Sequence, residues 1–187
     1  MLAIKAKNLK KSSSMLIWIT GLSGAGKTTI AAELYAQLKP TRPHLAFLDG
    51  DKCREIFGQD VGYDYPGRLT MARRMSRMCQ YLTVQGIDVI CATISMYREI
   101  HEFNRENIKN YYEIFIDVSL DNLIKYDKNN LYSGALKGKT KNVIGIDMPF
   151  KRPEKCDLII DNNERKDLQS KVMAIIKLIN KDERYDI

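Results

Sequence analysis

The chain has 187 residues, 44% of them hydrophobic, enough for one ordinary α/β core that needs neither disulfide nor metal staples. Cys53, Cys79, Cys91 and Cys156 form no C-x-x-C pair, which argues against a zinc ribbon or redox motif, and no apolar run approaches the roughly 18 residues of a membrane span. The net charge of +7 would suit a polyanion, yet Lys5, Lys7, Lys10 and Lys11 gather much of it in a short N-terminal stretch that holds no acid, which argues against nucleic acid as the partner.

Residues 1–14 are accordingly expected to be a basic, disordered tail ending in the linker Ser12 to Ser14, with Met15 a candidate start of the folded chain. Residues 15–187 are expected to form a single cytoplasmic domain with free thiols. From Met15 onward strands alternate with helices. Apolar runs predict strands at 16–20, 45–48, 87–92, 112–118 and 158–160. Helical patterns fall at 27–38, 66–85, 98–109, 120–126 and 166–179. This order predicts a three-layer α/β/α fold of the phosphate-loop NTPase type, with a mostly parallel central sheet. The stretch 128–141, punctuated by Asn129, Asn130, Gly134 and Gly138, predicts a basic loop that could serve as a short lid.

The first strand runs directly into Gly21-Leu22-Ser23-Gly24-Ala25-Gly26-Lys27-Thr28, a full match to G-x-x-x-x-G-K-[ST], and a helix follows at once. Glycines let successive main-chain N–H groups converge, and the helix adds its positive end, so the loop is suited to phosphate oxygens. Lys27 is positioned for the β- and γ-phosphates of ATP, Thr28 for Mg2+, and Thr29 completes the candidate nucleotide-binding set. After the second strand comes Leu48-Asp49-Gly50-Asp51, which puts two carboxylates at the carboxyl edge of the sheet, where open α/β folds bind ligands. Asp51 is a candidate for orienting an acceptor hydroxyl and taking its proton, and Asp49 for steadying magnesium, directly or through water. Arg73 and Arg74 lie on an amphipathic helix and fit a solvated face or a phosphate contact equally well. His101 is expected to be an exposed helix residue rather than a catalyst.

With these motifs in place, residues 15–179 resemble the adenylylsulfate kinases, which phosphorylate the ribose 3′-hydroxyl of adenosine 5′-phosphosulfate with ATP. The resemblance rests on 21–29 and 48–51, on Arg54, Asp60, Gly62-Tyr63, Arg68 and Arg73-Arg74, on Ile94-Ser95 with Tyr97-Arg98, and on Leu131-Tyr132, Lys141-Asn142 and Gly145-Ile146-Asp147. It implies that Arg54 and Arg68 grip the acceptor's anionic tail and that Tyr63, where the family has phenylalanine, stacks on its base. It also implies that Asp49, Asp51, Ile94, Ser95, Lys141 and Val143 line the acceptor site, with Ser95 a candidate phosphoserine. A homodimer is compatible with this reading.

Several positions depart from the family pattern. Met71 replaces an asparagine near the acceptor and Val143 replaces a second aromatic that would sandwich the base. In the lid, Tyr126 replaces an arginine, Asn129-Asn130 replace Lys-Gly and Ser133 replaces a basic residue, while Met96 replaces a proline and His101 an arginine. The acceptor half is therefore the altered half. The leading expectation is an adenylylsulfate kinase of sulfate assimilation. The alternatives are a kinase of the same architecture acting on another anionic nucleotide, such as cytidine diphosphoramidate in surface-polysaccharide biosynthesis, and a nucleotide-binding module without catalysis.

Overall fold

The computed structural model describes residues 14–58 and 60–183. Among them β1 (Met15–Thr20), β2 (Leu45–Asp49), β3 (Asp88–Thr93), β4 (Asn110–Asp117) and β5 (Leu158–Asp161) pair in parallel in the order β2-β3-β1-β4-β5. The helices are α1 (Lys27–Leu38), α2 (Gly50–Phe57), α3 (Tyr65–Val84), α4 (Arg98–Asn107), α5 (Leu120–Tyr126), α6 (Leu131–Leu136) and α7 (Leu168–Glu183).

The central strand β1 is buried at all six positions because both faces of the sheet are covered. Ile17 and Ile19 pack in one core with Ile30 and Leu34 of α1 and Val172, Ile175 and Ile179 of α7. Leu16 and Trp18, one residue out of step, pack in the other with Met71, Met75 and Cys79 of α3 and Ile100 of α4. The four cysteines are free thiols. Burial pushes the Cys53 thiol up to about 11, so it remains protonated and inert at neutral pH.

Strand order decides where a ligand can sit. The chain leaves β1 to build β2 and β3 on one side, then crosses β1 to reach β4 on the other, and a crevice opens at the carboxyl edge beside β1. The connections after β1, β2 and β3 all emerge there.

Element types follow the expectation for all five strands and for α1, α3, α4, α5 and α7. Two helices were not anticipated. The Asp-Gly-Asp stretch does more than turn, because the Asp49 carboxylate caps α2 by accepting from the N–H groups of Asp51 and Lys52 at 3.0 and 3.4 Å. The expected loop 128–141 contains a 3-10 turn (Lys128–Asn130) and then α6. Here Asp127 accepts from the N–H groups of Tyr132 and Ser133 at 2.7 and 3.2 Å, while the fully buried Tyr132 ring anchors the turn. Of the expected N-terminal tail only Ser14 lies within the described residues, and it is buried at the head of β1.

Among the described residues no helix is long and apolar enough to cross a membrane.

Candidate active site

The phosphate loop is bent by glycine and clamped from outside. A Cβ on Gly21 would lie 2.6 Å from the Ile116 carbonyl oxygen, and one on Gly26, at φ 94°, would lie 2.5 Å from Nδ2 of Asn162. Gly26 is also the N-cap of α1 and offers no side chain to its N–H groups, which leaves that helix end for a ligand oxygen. Lys27 Nζ donates to the Leu22 carbonyl at 2.8 Å, across the loop it belongs to. The Thr28 hydroxyl donates to Asp49 Oδ2 at 2.7 Å, so the two candidate magnesium residues are in contact. Both are hard oxygen donors on the exposed rim, the chemistry magnesium selects.

Three further residues hold the loop from elements far away in sequence. Asn162, after β5, donates to the Ala25 carbonyl at 2.8 Å and accepts from Lys171 Nζ at 2.7 Å. The Tyr132 hydroxyl donates to the Ser23 carbonyl at 2.8 Å, and burial pushes its pKa up to about 12, so it stays a donor at neutral pH. Arg165 donates to the Gly24 carbonyl at 2.8 Å with its guanidinium 3.7 Å from the centre of the Tyr126 ring. A guanidinium thus stands beside Tyr126 although the arginine of the family pattern is missing there. Tyr132 belongs to the Leu131-Tyr132 pair of the family pattern, but its contact with the loop, like those of Asn162 and Arg165, is revealed only by the fold.

The acceptor side is a cavity of about 630 Å³ between α2, α3, the end of β3 and the segment 140–144. Asp51, Arg54, Tyr63, Arg68, Ile94, Lys141 and Val143 line it, as expected. Met71, Thr93 and Asn142 join them, as do Ser23 of the phosphate loop and Gly50. One cavity therefore touches both the phosphate loop and the candidate base.

Inside it the two arginines flank the Tyr63 ring at 4.3 and 5.2 Å from its centre. Main-chain oxygens fix them: Arg54 donates to Val61 at 2.9 Å, and Arg68 donates to Tyr63 and Asn142 at 2.7 and 2.9 Å. Among the described residues no carboxylate pairs directly with either one. Burial, with the neighbouring Arg54 charge adding, draws the Arg68 pKa down, partly opposed by Tyr97, Tyr63 and Asp147. Two guanidinium groups held close without a bound acid form a positive seat that an anion would relieve.

Other expectations are corrected by position. Asp49 is absent from this cavity lining and serves α2 and Thr28 instead. The Ser95 side chain is fully buried and outside the lining, and its carbonyl is the active part, accepting from Thr20 Oγ1 and facing His101 Nε2. His101 is buried, not exposed, with Nδ1 2.8 Å from Glu113 Oε1. Nothing near His101 in sequence offers it a partner, but Glu113 on the neighbouring β4 supplies a buried one. Arg73 and Arg74 pair with Glu99 and Asp60 at 2.9 and 2.6 Å. These are exposed ion pairs of small energetic weight, and neither arginine lines the cavity.

A parallel sheet of this order, a glycine-bent phosphate loop and a carboxylate facing the same cavity define a phosphate-loop kinase that uses ATP. The chain belongs to the adenylylsulphate kinase family, whose profile matches residues 13–161. It is 46% identical over 167 residues to the cytidine diphosphoramidate kinase of Campylobacter jejuni, covering 89% of this chain and 97% of that one. Identity to the adenylyl-sulfate kinase of Pseudomonas aeruginosa is 36% over 155 residues, covering 82% of this chain and 79% of the relative. The Mycobacterium tuberculosis APS kinase in complex with AMPPNP and APS has a similar fold, with a TM-score of 0.81 at 27% identity over 90% of this chain and 99% of that one.

Proposed function

We propose that this kinase transfers the γ-phosphoryl group of MgATP to a hydroxyl of an anionic nucleotide, and that cytidine diphosphoramidate is its preferred acceptor. The observation that carries the reading is the lining of the cavity: two acid-free guanidinium groups for an anionic tail, one tyrosine ring for a base, and aliphatic Met71 and Val143 in place of an amide and a second ring. A single stacking face suits a pyrimidine, which has less ring surface to cover than a purine. The 46% identity to a cytidine diphosphoramidate kinase points the same way.

The residues divide the work by place. The loop N–H groups and Lys27 would cradle the triphosphate, and Thr28 with Asp49 would hold magnesium, which when bound neutralises charge on the phosphate oxygens. Arg54 and Arg68 hold the acceptor's tail, with Tyr63 against its base. Asp51 accepts the proton of the acceptor hydroxyl as its oxygen bonds to the γ-phosphorus and the bond to the β–γ bridging oxygen breaks, releasing ADP. Ser95 has no part in the transfer, because its hydroxyl is buried away from the cavity.

Adenosine 5′-phosphosulfate is the second reading, favoured by the aromatic ring kept at Tyr63 between two arginines. With MgATP, ADP release is expected only on addition of an acceptor, faster with cytidine diphosphoramidate than with adenosine 5′-phosphosulfate. ATP binding without turnover on either nucleotide would instead support a non-catalytic module.

A further inference from the structure

The Ser95 carbonyl is a junction between the two halves of the site. It accepts from Thr20 Oγ1 at 3.1 Å, and Thr20 is the residue immediately before the phosphate loop. It belongs to the connection after β3 that carries Thr93 and Ile94 into the acceptor cavity. From α4, His101 Nε2 reaches it at 2.7 Å.

The other ring nitrogen of His101 lies 2.8 Å from Oε1 of Glu113, a buried oxygen that no group meets in good hydrogen-bond geometry. Glu113 is itself almost fully buried on β4. Its second oxygen faces Arg105 of α4 at 3.0 Å and the Tyr111 hydroxyl of β4 at 3.4 Å, and Arg105 also lies 3.7 Å from Asp157 before β5. From α3, Ser76 faces Asn104 beside this group. A carbonyl oxygen accepts only, and so does an ionised carboxylate, so both imidazole nitrogens face acceptors. Only the imidazolium carries a proton on each.

We infer that His101 is a positioning residue, a buried imidazolium strut between Glu113 and the Ser95 carbonyl that holds the wall 93–97 of the acceptor cavity in register with the phosphate loop. Loss of either proton turns a nitrogen lone pair toward an oxygen and frees the wall. Replacing the ring by a side chain that cannot bridge both oxygens is then expected to loosen the acceptor half of the site, while the phosphate loop, held also by Asn162, Tyr132 and Arg165, keeps its grip on ATP.

The chain has two histidines, His44 and His101, so imidazole 15N spectra of the full chain are readily assigned with a His44→Gln variant. Two protonated nitrogens on His101 at about pH 6.5 are expected, and a neutral tautomer there would overturn the proposal. This arm does not depend on the acceptor's identity and so can fail separately from the proposed function. In kinetics, kcat/KM for the acceptor should be largely retained in His101→Arg, which keeps a positive charge and donors. His101→Gln should raise the acceptor KM about tenfold with little change in the KM for ATP. An unchanged acceptor KM in His101→Gln, or a loss in His101→Arg as large as in His101→Gln, would contradict the strut.

Discussion

The two halves of this site are built by different means. The candidate donor half is a continuous peptide, residues 21–28, whose main chain is shaped for phosphate oxygens, and which is held from outside by single hydrogen bonds from Asn162, Tyr132 and Arg165. The acceptor half is assembled from side chains of α2, α3, the end of β3 and residues 140–144. Main-chain recognition needs glycine at fixed spacing and little else, whereas side-chain recognition can be retuned one residue at a time. Substitutions in the two halves should therefore fail differently.

The largest effects fall on the chemistry itself. Asp51→Asn removes the candidate base and should lower kcat by about 100-fold to 10,000-fold with KM values near normal. Lys27→Ala should cost about 2 to 4 kcal/mol of transition-state stabilisation, read as kcat/KM for ATP. Near-normal turnover in the first variant would break the assignment of the base, and in the second that of the donor half.

Arg68→Ala should act on the other half alone, raising the KM for the acceptor by about 10-fold or more through the loss of a charged hydrogen-bond donor, with the KM for ATP unchanged. Val143→Phe sharpens the contrast further, because it restores a second ring. It should shift the ratio of kcat/KM values toward adenosine 5′-phosphosulfate by about 2-fold to 10-fold, the worth of one aromatic contact.

The smallest effect concerns the α6 segment. Hydrogen bonds from Ser133, foremost its hydroxyl, and from the Tyr132 N–H, with the Lys137 charge, hold the Asp127 carboxyl below the usual range. A depressed folded-state pKa gives stability that is present above the unfolded value of about 4 and is lost as pH falls through the folded one. Hydrogen exchange at residues 131–136 should therefore be faster in Asp127→Asn than in wild type at neutral pH. The difference should begin to shrink once pH falls below about 4 and disappear only below the depressed folded-state value.

The same contrast explains what the sequence made legible. Residues 21–28 and the five apolar strands were readable because their determinants are local, a spacing in one case and a run in the other. Arg54, Tyr63, Arg68 and Val143 were reached through family resemblance, and they do share one cavity. Arg165 and Asn162 were missed because each acts on a carbonyl of the phosphate loop more than 130 residues away, as their contacts at separations of 141 and 137 show. His101 was misplaced at the surface for a related reason, since Glu113 meets it only when α4 packs on β4. Helix α6 was read as loop because its asparagine and glycine punctuation is real, while its anchor, Tyr132, is tertiary.

The most direct test of the acceptor assignment is a competition in one vessel: limiting MgATP, equal concentrations of cytidine diphosphoramidate and adenosine 5′-phosphosulfate, and product ratios followed by 31P NMR. The ratio reports relative kcat/KM values, and hence differential transition-state binding. A product pool dominated by the phosphorylated cytidine nucleotide is predicted. A pool dominated by the phosphorylated adenosine nucleotide would contradict the account.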